Sequence, residues 1–452
     1  MLAESWCDRA IERLQALVRI PTVSLLDESR IDWAQFDRFI ATLSDLYPRV
    51  HEALQVELIA GHSLLLRWCG RDSTTASVLM AHYDVVAATG DGWQHPPFAA
   101  EITGDSQSAG VDDRVIWGRG TLDNKGALAA ILEAVESRLA EGFVPASDIY
   151  LSFGHNEETT GSGARAIVDT LESRSIRPSI VIDEGGAVVE DVFPGVSKPI
   201  AVVGVSEKGI TSLRLTVEQH GGHSATPPRL AATVRLAKAI VRLNSRPFPA
   251  RFSETNLTMI STIGAHARGA LRFAFTNLWL TKPVVLLLFS RLSDETRAMV
   301  RTTQAVTVLE GSSGANVLAE RAVATVNIRI AVGSSVADTV DHVRRAIRDH
   351  AVAIESINSF EPSAVSPSTG AAWTLVRNSI EQTFSGAIVT PYVMLAASDS
   401  RHFTRISDHV YRFSPFEMST EQRAALHAKN ERMTVATFLR GIQFYRNVIK
   451  GL

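Results

Sequence analysis

The chain has 452 residues, too many for one ordinary hydrophobic core, so two domains are expected. Hydrophobic residues at 45% and charged residues at 21% describe a globular protein and exclude a disordered or fibrous one. A formal net charge of -3 leaves no electrostatic footprint for nucleic acid, and two cysteines, Cys7 and Cys69, cannot build a disulfide framework, which fits a reducing, cytoplasmic setting.

The first residues, Met1-Leu-Ala-Glu-Ser, carry acid where a secretory leader would be basic, so they are expected to be mature sequence. Residues 5–19 place Trp6, Ala10, Ile11, Leu14, Leu17 and Val18 at helical spacing, ended by Pro21. A second helix is expected over 32–46, then paired strands over 54–59 and 63–68 and a buried strand over 78–81. A helix over 126–139 carries Leu128, Ile131, Leu132, Val135 and Leu139 on one side. A strand over 148–153, a helix over 163–173 and a strand over 179–182 complete an alternation of α and β that argues for a parallel-containing sheet covered by helices.

Beyond about residue 204 the character changes. Strands over 212–218, 305–309 and 322–330 and helices over 231–243 and 336–347 give the β-α-β-β-α order of a small α+β sandwich. Past residue 366 the doubly wound pattern resumes, with a helix over 371–384, a strand over 389–394 and a terminal helix over 431–448. The expected fold is therefore α/β: a doubly wound mixed-sheet catalytic domain, 1–204 with 366–452, holding an inserted α+β sandwich, 205–365.

The chemistry concentrates where apolar runs end in His, Asp or Glu. His82 closes Ser77-Val-Leu-Met-Ala, Asp123 follows Gly118-Arg-Gly, Glu157-Glu158 follow the 148–153 strand, and Asp183-Glu184 close Ser179-Ile-Val-Ile. Ligands bind at the carboxyl ends of strands in open α/β sheets, and each of these donors is expected at such an end. A lone strand-end histidine is ordinarily structural, but Asp84 at i+2 can turn onto the ring of His82, the arrangement that fixes a metal-bound imidazole. Asp123 could merely cap the next helix. Adjacent carboxylates such as Glu157 and Glu158 are ordinarily just solvated; beside cations, one could ligate while the other takes a proton from water. Nitrogen and carboxylate donors without nearby cysteine suit Zn²⁺, or less selectively Mn²⁺ or Co²⁺.

These motifs, from Arg19-Ile-Pro-Thr-Val-Ser to His427-Ala-Lys-Asn-Glu431, resemble those of the dizinc aminoacylase, desuccinylase and glutamate carboxypeptidase family of clan MH metallopeptidases. The similarity is greatest to the branch of Gly-X carboxypeptidases and N-acyl-amino-acid hydrolases, through Asp183-Glu-Gly-Gly, Ser206-Glu-Lys-Gly, Gly221-Gly-His-Ser, Asn277-Leu-Trp-Leu and Ser398-Asp-Ser-Arg401. The resemblance implies two zinc ions, one held by His82 and Asp183, the other by Glu158 and His427, with Asp123 bridging. Glu184 adjoins Asp183, and either could coordinate. Glu157 is implied as general base, Asp84 as the partner of His82, and a cis peptide after Asp123. His402 is set aside for His427, which better matches the family's final His-x-x-Asn-Glu.

The inserted domain resembles the family's lid and dimerisation domain. His223 would polarise the scissile carbonyl or its oxyanion, against the alternative of a plain turn histidine. Asn316, Arg329 and Arg401 resemble substrate-binding residues, the arginines matching a carboxylate bidentately or forming ordinary surface ion pairs. The segment 273–288 is apolar: core, a greasy substrate channel, or a peripheral membrane contact, and too interrupted to span a bilayer.

The expected activity is metal-dependent hydrolysis of the amide bond of N-acyl amino acids or short peptides bearing a free carboxylate. A Gly-X type carboxypeptidase or dipeptidase is the alternative within enzymes, and a degenerate small-molecule binding protein the alternative outside them. A homodimer is expected from the resemblance alone.

Overall fold

The structure is a computed structural model and describes residues 4–104, 113–190, 193 and 195–452. Its larger sheet has ten strands. At its centre Ser147–Gly154, Asp72–His82, Pro178–Asp183 and Val410–Arg412 lie side by side and parallel. Their sequences explain the placement: Val78, Leu79, Met80 and Ala81 are apolar on both faces of the strand and all buried, as a sheet covered by helices on both sides requires. Antiparallel Gln55–Ile59 and Ser63–Trp68 extend one edge. The register sets His82 opposite Gly154, which brings the turn holding Glu157 to the mouth of the His82 strand.

The helix Lys125–Ala140 departs from the one-sided reading, because every residue from Lys125 to Ser137 is buried. Alanines at 127, 129, 130 and 134 let it pack closely among the terminal helix Val435–Gly451 and the first helix Glu4–Val18. Its buried acids are satisfied: Glu133 pairs with Arg13 at 3.0 Å, and Glu136 accepts from the Val50 N–H at 3.0 Å.

The smaller unit is a four-stranded antiparallel sheet in the order Thr303–Glu310, Arg321–Ile330, Gly209–Glu218, Ala353–Phe360. Helices Ala232–Asn244 and Val336–Ile347 cover one face. The order is thus β-α-β-β-α-β, one strand more than expected. The additional strand, Ala353–Phe360, is a largely exposed edge rich in Ser, Asn and Glu, so no hydrophobic alternation marks it.

Within 205–365 the intervening helices belong elsewhere. Met259, Ile260, Ile263, Phe275, Val285 and Phe289 join the buried cluster of the larger unit, not that of the smaller sheet. Among the described residues no single helix is long and apolar enough to cross a membrane; Gly269–Thr276 and Leu278–Leu292 reach that length and composition only together, with a 110° bend between them.

Candidate metal centre

Five segments converge at the carboxyl ends of the central strands. His82 ends its strand with its ring buried. The ring Nδ1 lies 3.0 Å from the Asp84 carbonyl oxygen and 3.3 Å from Asp84 Oδ1. That leaves Nε2 to face the site, 3.0 Å from Asp123 Oδ1 and 3.3 Å from Glu184 Oε1. On the other side, His427 Nε2 lies 2.9 Å from Asp123 Oδ2 and 3.0 Å from Glu158 Oε2. Asp123 therefore presents one oxygen to each histidine, as a bridging carboxylate would. The peptide bond after it is cis, as the resemblance implied.

Asp123 and His427 do not lie at ends of central strands. Asp123 follows the short strand Val115–Trp117, which pairs in a separate three-stranded sheet with Ile102–Thr103 and Arg432–Thr434. A tight turn then carries it to the start of helix Lys125–Ala140. His427 lies between helix Thr420–Ala425 and strand Arg432–Thr434, with a left-handed φ of 58°.

Of the pair Asp183-Glu184, it is the second residue that lies beside His82. Asp183 ends its strand with Oδ2 accepting the Ser400 N–H at 3.0 Å. Strand side chains alternate in direction, so Glu184 is the one that turns toward His82. Ligand-type atoms of His82, Asp123 and Glu158 form one cluster able to hold a metal, and those of His82, Glu157 and Glu184 another. Asp183, expected beside His82, is in neither.

Electrostatics fit a site built for cations. Burial raises the carboxyl groups of Glu157 and Glu158 and pushes Glu184 up to about 8. Burial would also raise Asp123, but hydrogen bonds from His427 and then His82 outweigh it and hold it lowered. His427 is raised to about 10 by Asp123 and then Glu158. Glu158 Oε1 is buried without a hydrogen-bond partner. Crowded carboxylates, two inward imidazoles and an orphaned oxygen suit divalent metal, and the N/O donor set suits Zn²⁺, Mn²⁺ or Co²⁺.

Two supporting roles were invisible in sequence. Asp84 orients His82, but its oxygens also accept the Glu157 and Glu158 N–H groups, each at 3.1 Å, and Ser24 Oγ donates to Oδ2 at 2.6 Å. Glu431, fully buried, accepts from the N–H groups of Gly120, Leu122 and Asp123 at 2.8–3.2 Å and pairs with Arg119 at 2.6 Å. It ties the turn bearing Asp123 to the segment bearing His427. An acid closing the His427 motif was the available signal, but nothing local says that its partners lie some 310 residues away.

A cavity of about 670 Å³ opens on Asp123, Glu157, Glu184 and His427. His223, Asn316, Arg329 and Arg401 do not line it. His223 sits on an exposed two-stranded ribbon, Gly222–His223 with Val317–Leu318, its Nδ1 accepting from the Ala225 N–H at 3.1 Å. Asn316 adjoins it, its carbonyl accepting the Ser224 N–H at 3.1 Å. Arg329 and Arg401 come near enough for burial and then the Arg401 charge to lower Arg329, and the Arg401 guanidinium lies 5.0 Å from the Phe360 ring centroid. His402 stays beside Arg401, 3.4 Å from its Nε, outside both ligand clusters.

Comparison with known proteins agrees with this geometry. The model of the peptidase family M20/M25/M40 matches residues 78–451. A probable carboxypeptidase S-like 2 of Dictyostelium discoideum is 37% identical, over 97% of this chain and 84% of the relative. The human N-fatty-acyl-amino acid synthase/hydrolase PM20D1 is 33% identical, over 97% and 87%. Among solved structures, an M20 family metallo-carboxypeptidase, Sso-CP2 of Sulfolobus solfataricus, superposes with a TM-score of 0.69 at 17% identity, covering 99% of both chains. Human carnosine dipeptidase 1 gives 0.64 at 16% identity, over 98% and 97%. With the family model matched over most of its length, the chain belongs to peptidase family M20/M25/M40, a family of metal-dependent hydrolases.

Proposed function

We propose that the protein hydrolyses N-acyl amino acids with long, apolar acyl chains, using two metal ions, zinc being the best fit. The observation that carries this reading is a second cavity of about 360 Å³, walled by Val189, Phe193, Ile200, Met259, Ile263 and Phe289. It shares Gly185, Ala187, Glu295, Tyr392 and Arg423 with the cavity on the metal centre. An acyl arm could lie there while its amide reaches the ligands. Gly185 stands at the junction with φ of 133°, where an added Cβ would meet Met394 Sδ at 2.2 Å, so a side chain there would crowd the passage.

His82, Asp123, Glu184, Glu158 and His427 are the proposed ligands, with Glu184 replacing Asp183. Bound metals would acidify a water and polarise the amide carbonyl. Glu157 is the proposed general base: its buried carboxyl, raised by desolvation, takes the proton and returns it to the leaving amine. Arg329 and Arg401 are offered for the substrate carboxylate, and His223 and Asn316 would reach the site only by movement of the smaller unit. Pairing into a homodimer and a cytoplasmic location are proposals too, the latter resting on two unpaired cysteines.

The test is release of free amino acid from a panel of acyl chain lengths and dipeptides by zinc-loaded protein. Turnover that rises with chain length, and falls selectively for long chains in Gly185→Val, supports the reading. Cleavage of dipeptides alone would replace it with a dipeptidase.

A further inference from the structure

The helix Leu278–Leu292 has two apolar faces with different surroundings. Its inner face sends Val285 and Phe289 into the core, and Phe289 and Leu292 wall the 360 Å³ cavity. Its outer face carries Trp279, Leu280, Val284, Leu287 and Leu288, exposed by 83%, 56%, 71%, 52% and 42%, with Phe273 of the preceding helix exposed by 58%. These positions follow i, i+1, i+5, i+8 and i+9, one continuous stripe along the helix. An apolar stripe of this length on an outer surface marks a contact site.

Charge favours one occupant. From Gly269 to Leu292 there is no Asp or Glu, while Arg272, Lys282 and Arg291 are all exposed. Two copies meeting through this stripe would bring their cations together. Anionic headgroups would be attracted to them, and acyl chains would accept the stripe between them. The 110° bend and the anchoring of Phe275, Val285 and Phe289 keep the pair lying along the surface.

We propose that this helix docks the protein on an anionic lipid surface, and that acyl substrates leave that surface under the helix and enter the cavity it roofs. The docking half stands alone; the entry half rests on the acyl-amino-acid reading above. Sedimentation with phosphatidylcholine vesicles, with and without phosphatidylserine, compares wild type with Trp279→Asp/Val284→Asp, neither of which lines the 670 Å³ or the 360 Å³ cavity. Wild type should pellet with the phosphatidylserine vesicles, and the variant's bound fraction should fall about tenfold. Equal pelleting of both proteins, or none by wild type, overturns docking. So does a wild-type dimer that the variant dissociates in sedimentation velocity, which would make the stripe an interface between copies.

The entry half is read separately. A long-chain substrate presented in vesicles should be cleaved about tenfold more slowly by the variant, with a soluble short-chain substrate cleaved at the wild-type rate. The unchanged short-chain rate shows that the variant is folded. Equal slowing on both substrates overturns the entry route. If acyl substrates are not cleaved at all, the functional reading fails and the pelleting result still stands.

Discussion

The two histidines of the metal centre reach the same carboxylate under opposite conditions. His82 ends a central strand, has a side chain 2% exposed and is braced on its far nitrogen by Asp84. His427 sits on a loop in a left-handed conformation, with a side chain 56% exposed. The contrast teaches that half of the site is built by the sheet and half is laid over it. The His82 half is preorganised, whereas the His427 half depends on a segment held by Glu431 and its contacts to the Asp123 turn.

The largest effect is expected at Glu157, the proposed general base. Glu157→Gln should lower kcat by about 10²–10⁴-fold while metal content, read by elemental analysis, stays at the wild-type value. A loss of metal in proportion to activity would instead make Glu157 a ligand, a role its cluster with His82 and Glu184 allows. Next comes the brace of the rigid half. Asp84→Asn keeps the shape but weakens the acceptors for His82 and the Glu157–Glu158 backbone, and metal affinity should fall by about 10–100-fold. Unchanged affinity would mean that the sheet alone positions His82.

Chelation should separate the two halves directly. If the two proposed metals are bound, they should leave in two phases, the His427 side first and about tenfold faster, with His427→Ala removing the fast phase only. A single phase would show that the two halves behave as one. The smallest effect is expected at Arg401→Lys, which keeps the charge but loses the bidentate fork. KM should rise a few-fold, by about 1 kcal/mol of binding, with kcat nearly unchanged. No change in KM would return Arg401 to a structural role beside Phe360.

The pattern of what could be read in advance follows the same division. That His82, Glu157 and Glu158 come together is readable from sequence, because an apolar strand announces its own end. Sequence leaves Asp183 and Glu184 as alternatives because neighbouring residues at a strand end point to opposite sides and nothing local says where the alternation stops; in the structure it is Glu184 that lies beside His82. The helix Lys125–Ala140 reads as one-sided in sequence because its small alanines hide how closely other helices approach. The strand Ala353–Phe360 was missed because an exposed edge needs no apolar residues. The reach of Glu431 to the Asp123 turn was beyond any local pattern.

That reach also sets the moment at which activity can begin. The proposed ligands arrive along the chain at 82, 123, 158 and 184, but His427 and the Glu431 that steadies the Asp123 turn follow only after the whole smaller unit. A nascent chain that has emerged only through the smaller unit already carries the general base and four proposed ligands, yet lacks the residue that completes the second half. Hydrolytic competence is therefore withheld until the segment bearing His427 has emerged, and a product truncated before it is expected to be inert.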